Sequence, residues 1–272
     1  RNAQHSSMFF GTLLLGLVAF SKRIFQQGNH QVLRIILWCI VLVIALAGIA
    51  MGQARAIWIG TIVSLSVGLL IWGGFVILHR GARQFLKYLS MFLAATALIV
   101  TVFGMSLGDS LEERVNDEND VIAQVLHGEF SQIPYTSVGI RVNSWIAASE
   151  WIAERPLIGW GAKGKKLVMR ETAWIPDKVS EKYTHLHNYF MEIWVAYGLL
   201  GVIAIGALMI WVGRATWLAW RAGVMPSDMA FFGMIFFIFW MIINQFESYE
   251  SMWTGLYIHN IIVGGLVTHY WR

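Results

Sequence analysis

Residues 188–213 read NYFMEIWVAYGLLGVIAIGALMIWVG, and this run decides the fold class. Its one charged residue is Glu192, close to its start. A helix needs roughly 18–20 apolar residues to cross about 30 Å of hydrocarbon, and all its backbone groups can then be paired internally. The run therefore predicts a membrane-spanning helix with an acidic side chain near one end.

Comparable apolar runs recur along the chain, in which 57% of residues are hydrophobic and 13% are charged. They predict spans at 7–21, 32–51, 56–78, 87–107, 188–213, 229–246 and 253–271. The predicted fold is an all-α integral membrane protein, a polytopic helical bundle. Because the sequence begins at Arg1 without an initiator methionine, we also expect earlier helices to precede it in a longer protein.

Charge asymmetry between the loops predicts their sides of the membrane. Basic clusters occur in two loops of one set, at Lys22, Arg23 and Arg34 and at Arg80, Arg83 and Lys87. The opposite set contains Glu247, Glu250 and the long loop 108–187, where 12 acidic residues face 9 basic ones. We therefore expect the long loop outside the cytoplasm, with Arg55 in the same compartment. The net charge of +4 reflects this topology, and we expect no nucleic-acid partner.

The predicted domain organisation has three parts, a bundle over 1–107, the loop over 108–187 and a second bundle part over 188–272. Within the loop, an acidic stretch over 109–120 precedes a region of helical periodicity that starts at Arg141 and that Pro156 should end. Its tryptophans suit the membrane interface. The loop is thus expected to be partly helical.

Two histidines, His185 and His187, stand immediately before the span that begins at Asn188. With Thr184 as N-cap, both would lie in the first turn of the helix, where the helix dipole disfavours a protonated ring. A neutral imidazole is what a general base requires. A structural, hydrogen-bonding role is the alternative, and it is the more common one for histidine at a membrane interface.

The same histidines form an H-x-H pair, which raises the alternative of a metal site with Glu192. Zinc needs three or four converging ligands. No other ligand occurs at a recognisable spacing, so we expect no metal. Glu192 also has a simple structural interpretation, as a partner of a cation in the loop.

Cationic side chains on the outer side could bind phosphate. Arg55 and Arg141 both offer a planar, permanently charged fork of donors, although either could be an ordinary interfacial arginine. The glycine-rich GWGAKG at 159–164 has no strand before it, which excludes a dinucleotide fold. Its N–H groups could contact an anion beside Lys165, but a solvated lysine surface is the simpler interpretation.

The spacing around His187 resembles that of the O-antigen ligase family, which belongs to a superfamily of ligases and polymerases. His187-Asn188, nine residues, Gly198, two residues and Gly201 fit the family pattern H-[NSQ]-x9-G-x-x-G. An upstream block, R-x3-W…P-L-x-G-x-G, is formed by Arg141, Trp145, Pro156, Leu157, Gly159 and Gly161. Arg55 stands at the place of a family arginine, with Gln53-Ala54 where a serine usually precedes it.

This resemblance implies a metal-independent, inverting membrane glycosyltransferase without a cofactor. Its donor would be a glycan on undecaprenyl diphosphate and its acceptor lipid A-core, on the periplasmic face of the inner membrane and in contact with membrane lipids. His187 would be the general base, Arg55 and Arg141 would bind the diphosphate, and His185, Asn188 and Glu192 could support them. An O-antigen polymerase or a protein O-oligosaccharyltransferase stays open as an alternative, and a transporter or flippase as a more distant one.

Overall fold

The computed structural model describes residues 3–83, 85–86, 89–90, 93, 97 and 118–271, and it contains no strand among them. The helices with both ends described are α1 (Ala3–Ala19), α2 (Ser21–Ile24), α3 (Gln31–Met51), α4 (Arg55–Arg80), α5 (Ser137–Glu154), α6 (Gly164–Glu171), α7 (Asp177–Lys182), α8 (Tyr189–Arg221), α9 (Ser227–Ile243) and α10 (Trp253–Tyr270). Residues 118–127 are also helical. The expected span 87–107 and the acidic stretch 109–120 lie outside the described residues, apart from a few positions.

Three of the described helices are long and apolar enough to cross a membrane: Gln31–Gly52, Arg55–Leu78 and Tyr189–Arg221. The shorter apolar helix Ser227–Ile243 accompanies them. The prediction of an all-α membrane protein is therefore confirmed. Residues 189–213 of the apolar run form the first 25 residues of α8, which continues to Arg221.

Contacts divide the chain into two compact units, one formed by Arg1–Ser90, Ala207–Ile243 and Tyr249–Arg272, and the other by Met91–Gly206 and Asn244–Ser248. The core of the first unit is built by α1, α3, α4 and α9. Phe239 is fully buried there and lies against Gly11 and Gly60, whose missing side chains leave room for its ring. Small residues at helix contacts permit this close approach in membrane bundles.

Contacts at both ends of the first unit agree with the expected alternation of its loops. At one end, the guanidinium of Arg23 donates to the carboxylate of Asp228, with Nη2 2.6 Å from Oδ1. At the other end, the Tyr249 hydroxyl donates to the carbonyl of Gln4 at 3.4 Å. The loop after α1 and the start of α9 therefore share one end, as the predicted topology requires.

The second unit contains α5, α6, α7, the first part of α8 and the short segment 244–248. The side chain of Thr136 caps α5 by accepting from the N–H of Gly139 at 3.3 Å. The helix ends at Glu154, two residues before Pro156, as predicted, because the residue preceding a proline is disfavoured in the helical conformation. Its buried face packs in a small core with Val168, Leu186 and Val195.

Candidate active site

His187 lies just before α8 and not inside it, so the prediction of Thr184 as N-cap with both histidines in the first turn is wrong. The φ angle of His187 is 53°, in the left-handed region, which interrupts a right-handed helix at this residue. The side chain of Asn188 is the cap instead. Its Oδ1 accepts from the N–H groups of Phe190 and Met191, both at 3.1 Å. The Asn of the H-N pair therefore starts the helix and leaves His187 at the turn.

Glu247 binds both histidines from a segment 60 residues away along the chain. Its two carboxylate oxygens lie 3.1 Å from Nδ1 of His187 and 3.1 Å from Nε2 of His185. The imidazole rings contact each other with centroids 4.0 Å apart. Glu247 is 3% exposed and His187 is 8% exposed. His185, His187 and Glu247 form a trio, buried except for part of His185, that is the chemical centre of the second unit.

The protonation states of the trio follow from burial and hydrogen bonding. Burial lowers the pKa of His187 below the ordinary histidine value, and the hydrogen bond to Glu247, which acts in the opposite direction, does not restore it. Burial alone would raise the pKa of Glu247, but the hydrogen bonds from His185 and His187 outweigh burial and hold the pKa of this carboxyl well below its usual range. At neutral pH the pair is therefore a carboxylate beside a neutral imidazole.

These states determine which nitrogen of His187 can accept a proton. An ionised carboxylate has only acceptors, so Nδ1 of His187 must carry the hydrogen that it donates to Glu247. A neutral ring holds a single N–H, so the lone pair is on Nε2. The arrangement thus presents one basic nitrogen and orients it through the other, as a carboxylate does for a catalytic histidine.

Glu192 joins three segments around this trio. Its Oε1 accepts from the N–H of Leu186 at 3.1 Å and from the hydroxyl of Ser248 at 2.6 Å. Its Oε2 pairs with Nζ of Lys165 at 2.8 Å. Glu192 is 3% exposed, so leaving it without these partners would be costly. The interpretation of Glu192 as the partner of a loop cation is confirmed, and the pair holds the two sequence neighbours of the trio in place.

Arg141 belongs to the same unit and lies next to Glu247 in the fold. Its Nε donates to the carbonyl of Phe246 at 3.1 Å, and its Nη1 donates to the carbonyl of Ser137 at 2.8 Å. Its charge also helps to lower the pKa of His187. Arg141 and His187 therefore belong to the same unit, and a shared role in binding the substrate stays a prediction.

Arg55 begins α4 in the first unit and is half-buried there. Arg55 also interacts with other groups of the protein. That Arg55 joins Arg141 at a common anion site stays a prediction.

The glycines of the two sequence blocks meet where α8 is interrupted. Gly198 has φ 62° and ψ −162°, a conformation that is essentially restricted to glycine. The break frees backbone groups of α8, and the segment from Pro156 to Gly161 binds them. Trp160 and Gly161 donate to the carbonyls of Val195 and Ala196 at 2.8 Å each, and Leu199 donates to the carbonyl of Pro156 at 2.8 Å.

This backbone pairing explains the glycines of both blocks, and the contacts of this region correct two interpretations of the sequence. A Cβ on Gly198 would lie 2.2 Å from the backbone of Leu157, and one on Gly159 would lie 2.6 Å from that of Val195. The N–H groups of residues 160 and 161 are used by α8, so they are not offered to an anion. Lys165 is bound to Glu192, and therefore it is not part of a solvated lysine surface.

Comparison with known proteins identifies the family of the chain. The family model described as O-antigen ligase matches residues 40–206, which is more than half of the chain. The chain belongs to the O-antigen ligase family. Members of this family are membrane glycosyltransferase-like enzymes. The match contains His187, Asn188, Arg141 and the glycines at the break in α8.

One relative is an uncharacterized protein of Haemophilus influenzae, 26% identical over 172 residues. The match covers 61% of this chain and 39% of that protein. The chain thus corresponds to less than half of the length of this relative.

Sequence reasoning missed Glu247 as a partner of the histidines. It placed Glu247 in an outer loop, in the same compartment as His187, but only as evidence for topology. The signal that could have found it is an acidic residue directly after the apolar run 229–246, where a carboxylate needs a partner. Glu247 is also a third possible metal ligand beside the two histidines, which no sequence spacing had revealed. The three donor atoms lie within 4.8 Å of one another.

Proposed function

We propose that this protein is an O-antigen ligase that transfers a glycan from undecaprenyl diphosphate to a sugar hydroxyl of lipid A-core. The reaction would occur on the periplasmic face of the inner membrane, without a metal or other cofactor. One observation carries the proposal: a buried, neutral His187 is oriented by the carboxylate of Glu247 at the start of a membrane helix. That arrangement suits a general base acting on a hydroxyl group.

The proposed step is a direct displacement at the anomeric carbon of the donor sugar. The acceptor hydroxyl gives its proton to Nε2 of His187 as its oxygen bonds to the anomeric carbon. The bond from that carbon to the phosphate oxygen breaks, and undecaprenyl diphosphate leaves with the electron pair. Attack from the face opposite the leaving group inverts the anomeric configuration.

Charge develops on the diphosphate as it leaves, and fixed cations stabilise such charge most effectively where water is scarce. Arg141 is our first candidate because its guanidinium lies in the unit of His187 and acts on the His187 ring electrostatically. Arg141 donates from Nε to the carbonyl of Phe246, and from Nη1 to the carbonyl and the hydroxyl of Ser137. We assign its Nη2 and the side chain of Arg55 to the diphosphate.

The chemical identity of the acceptor distinguishes a ligase from the alternative functions. A polymerase would use a second lipid-linked glycan, a protein O-oligosaccharyltransferase would use a protein hydroxyl, and a transporter or flippase would form no glycosidic bond. Glu192, the one charged residue near the start of α8, is bound to Lys165 of the loop, which gives no support to a charged transport path along this helix.

The test is reconstitution of the full-length protein in vesicles with an undecaprenyl-diphosphate glycan and lipid A-core. We expect glycan to appear on lipid A-core, and we expect His187→Ala to abolish it while the protein stays in the membrane. His127→Ala, an exposed histidine of the same unit, is the matched control and should retain activity. Near-normal transfer by His187→Ala would remove the base assignment, and product on another acceptor would replace the ligase by the corresponding rival.

A further inference from the structure

We propose that His185, His187 and Glu247 form an inhibitory site for zinc or a closely similar divalent cation. The inference rests on the proposed function, since it uses His187 as the base. It concerns a second state of the same trio, in which a metal ion replaces the shared hydrogen bonds.

The ligand types and their spacing fit zinc. Two imidazoles and one carboxylate are a ligand set that zinc takes in proteins with its fourth position open. Zinc bonds of about 2.0–2.1 Å place tetrahedral ligand atoms about 3.3 Å apart. Here each histidine nitrogen already lies 3.1 Å from an oxygen of Glu247, and all three donor atoms lie within 4.8 Å of one another. Small side-chain rotations bring them to one ion.

The surroundings hold this set together and leave it one accessible side. The Asn188 cap and the left-handed backbone of His187 fix the turn, and Glu192 binds the N–H of Leu186 between the two histidines. Glu247 and His187 are buried, whereas the side chain of His185 is 23% exposed. A cation would therefore enter past His185.

The charges near the trio act in opposite directions on a bound cation, since Glu247 attracts it and Arg141 repels it. The carboxylate of Glu247 contributes one negative charge to the site, and it lies 3.1 Å from a nitrogen of each histidine. The charge of Arg141 reaches His187 and opposes a cation, whereas Lys165 is neutralised by its pairing with Glu192. The site therefore suits zinc, which bonds well to imidazole nitrogen, better than magnesium, which prefers oxygen ligands.

Metal binding and base catalysis exclude each other because of the ring nitrogens. In the active state Nδ1 of His187 carries the hydrogen donated to Glu247, and Nε2 has the lone pair. A metal on Nδ1 needs the lone pair there, so the single ring proton moves to Nε2. No proton is gained or lost, but the nitrogen that would accept the hydroxyl proton is now occupied. Zinc would thus inhibit by changing the tautomer.

The binding arm of the test uses the full-length protein, purified through a tag without histidine. Titration with Co²⁺, a spectroscopic substitute for zinc, should give the visible absorption of a tetrahedral site at one ion per chain. We expect zinc to displace it, and we expect His185→Gln and Glu247→Gln to weaken binding at least 10-fold. His127→Gln and Cys39→Ser each remove an exposed candidate ligand outside the trio, and both variants should bind as the unmodified protein does. Equal binding by the unmodified protein and His185→Gln would overturn the site.

The activity arm compares each variant with its own metal-free rate. We expect micromolar zinc to stop transfer, a chelator to restore it, and His185→Gln to need at least 10-fold more zinc for half inhibition. One ion bound per chain with an unchanged rate would overturn the inhibitory role. That result would be distinct from failure of the proposed function, which would appear as transfer by His187→Ala in the absence of any metal.

Discussion

Replacing Glu247 by Gln should disable His187 without removing it. The amide has the shape of the carboxylate but has one acceptor oxygen in place of two, and it lacks the negative charge. Nδ1 of His187 and Nε2 of His185, each 3.1 Å from an oxygen of Glu247, then compete for one acceptor. Where the amide nitrogen faces His187, it donates to Nδ1 and selects the wrong tautomer, with the proton on Nε2.

The expected size of the effect follows from the hydrogen bonds that are lost. A hydrogen bond to a charged group contributes about 1.5–3 kcal/mol, and each 1.4 kcal/mol corresponds to roughly a tenfold change in rate. Loss of one such bond from His187 therefore predicts a kcat lower by about 10- to 100-fold. KM should change little, because Glu247 acts through His187 and is not expected to touch the donor.

The pH dependence gives a readout that a merely structural role would not move. His187 is inactive when protonated, so the rate falls as the pH drops through the pKa of His187. Burial lowers this pKa and Glu247 raises it, so removal of the negative charge should lower it further. In Glu247→Gln the acidic limb of the pH–rate profile should move to lower pH, and the maximal rate should be lower than that of the unmodified protein.

The assay is transfer by reconstituted full-length protein, measured from pH 5 to pH 8. Glu250→Gln is the matched control, because the Glu250 carboxylate contacts Trp240 and His259 and lies in the other unit. A Glu247→Gln protein with the original kcat and an unshifted acidic limb would refute the orienting role. Loss of activity together with a large fall in the thermal midpoint would refute it as well, since Glu247 would then be chiefly structural.

Two further substitutions test the surroundings of the trio. Arg141→Lys should lower kcat/KM about 10-fold or more, because an ammonium group cannot bind the Phe246 carbonyl and a diphosphate at once as a planar guanidinium does. Substitution of the exposed Arg170 by Lys is the control. Equal rates for the two variants would leave Arg141 without a role in the reaction. Gly198→Ala should lower the thermal midpoint and the transfer rate together, because the new Cβ would lie 2.2 Å from the Leu157 backbone and residue 198 has a φ of 62°. Gly206→Ala is the control and should be nearly neutral, because nothing lies within 4 Å of a Cβ on Gly206. A stable and active Gly198→Ala protein would contradict the backbone pairing at the break.

The amino-acid sequence by itself determined the membrane class, the order of the helices and the chemical nature of most residues at the site. Hydropathy is a local sum, so a run such as 188–213 predicts a spanning helix whatever surrounds it. The spacing of Gly198 and Gly201 from His187 was equally informative, because it carries the family resemblance without any knowledge of tertiary contacts. The pairing of Glu192 with a loop cation followed from the cost of a buried charge, although its partner, Lys165, did not.

Only the tertiary structure decided which side chains meet. Glu247 reaches His187 across 60 residues, and no spacing rule connects a loop after one helix with a turn before another. The same is true of the pairing of Pro156–Gly161 with the interrupted helix, which uses backbone groups that have no sequence signature. The helix start was misplaced because His187 has a left-handed backbone and the side chain of Asn188, not that of Thr184, caps the helix. Local patterns depend on each residue's own chemistry, whereas partner choice depends on how distant segments pack.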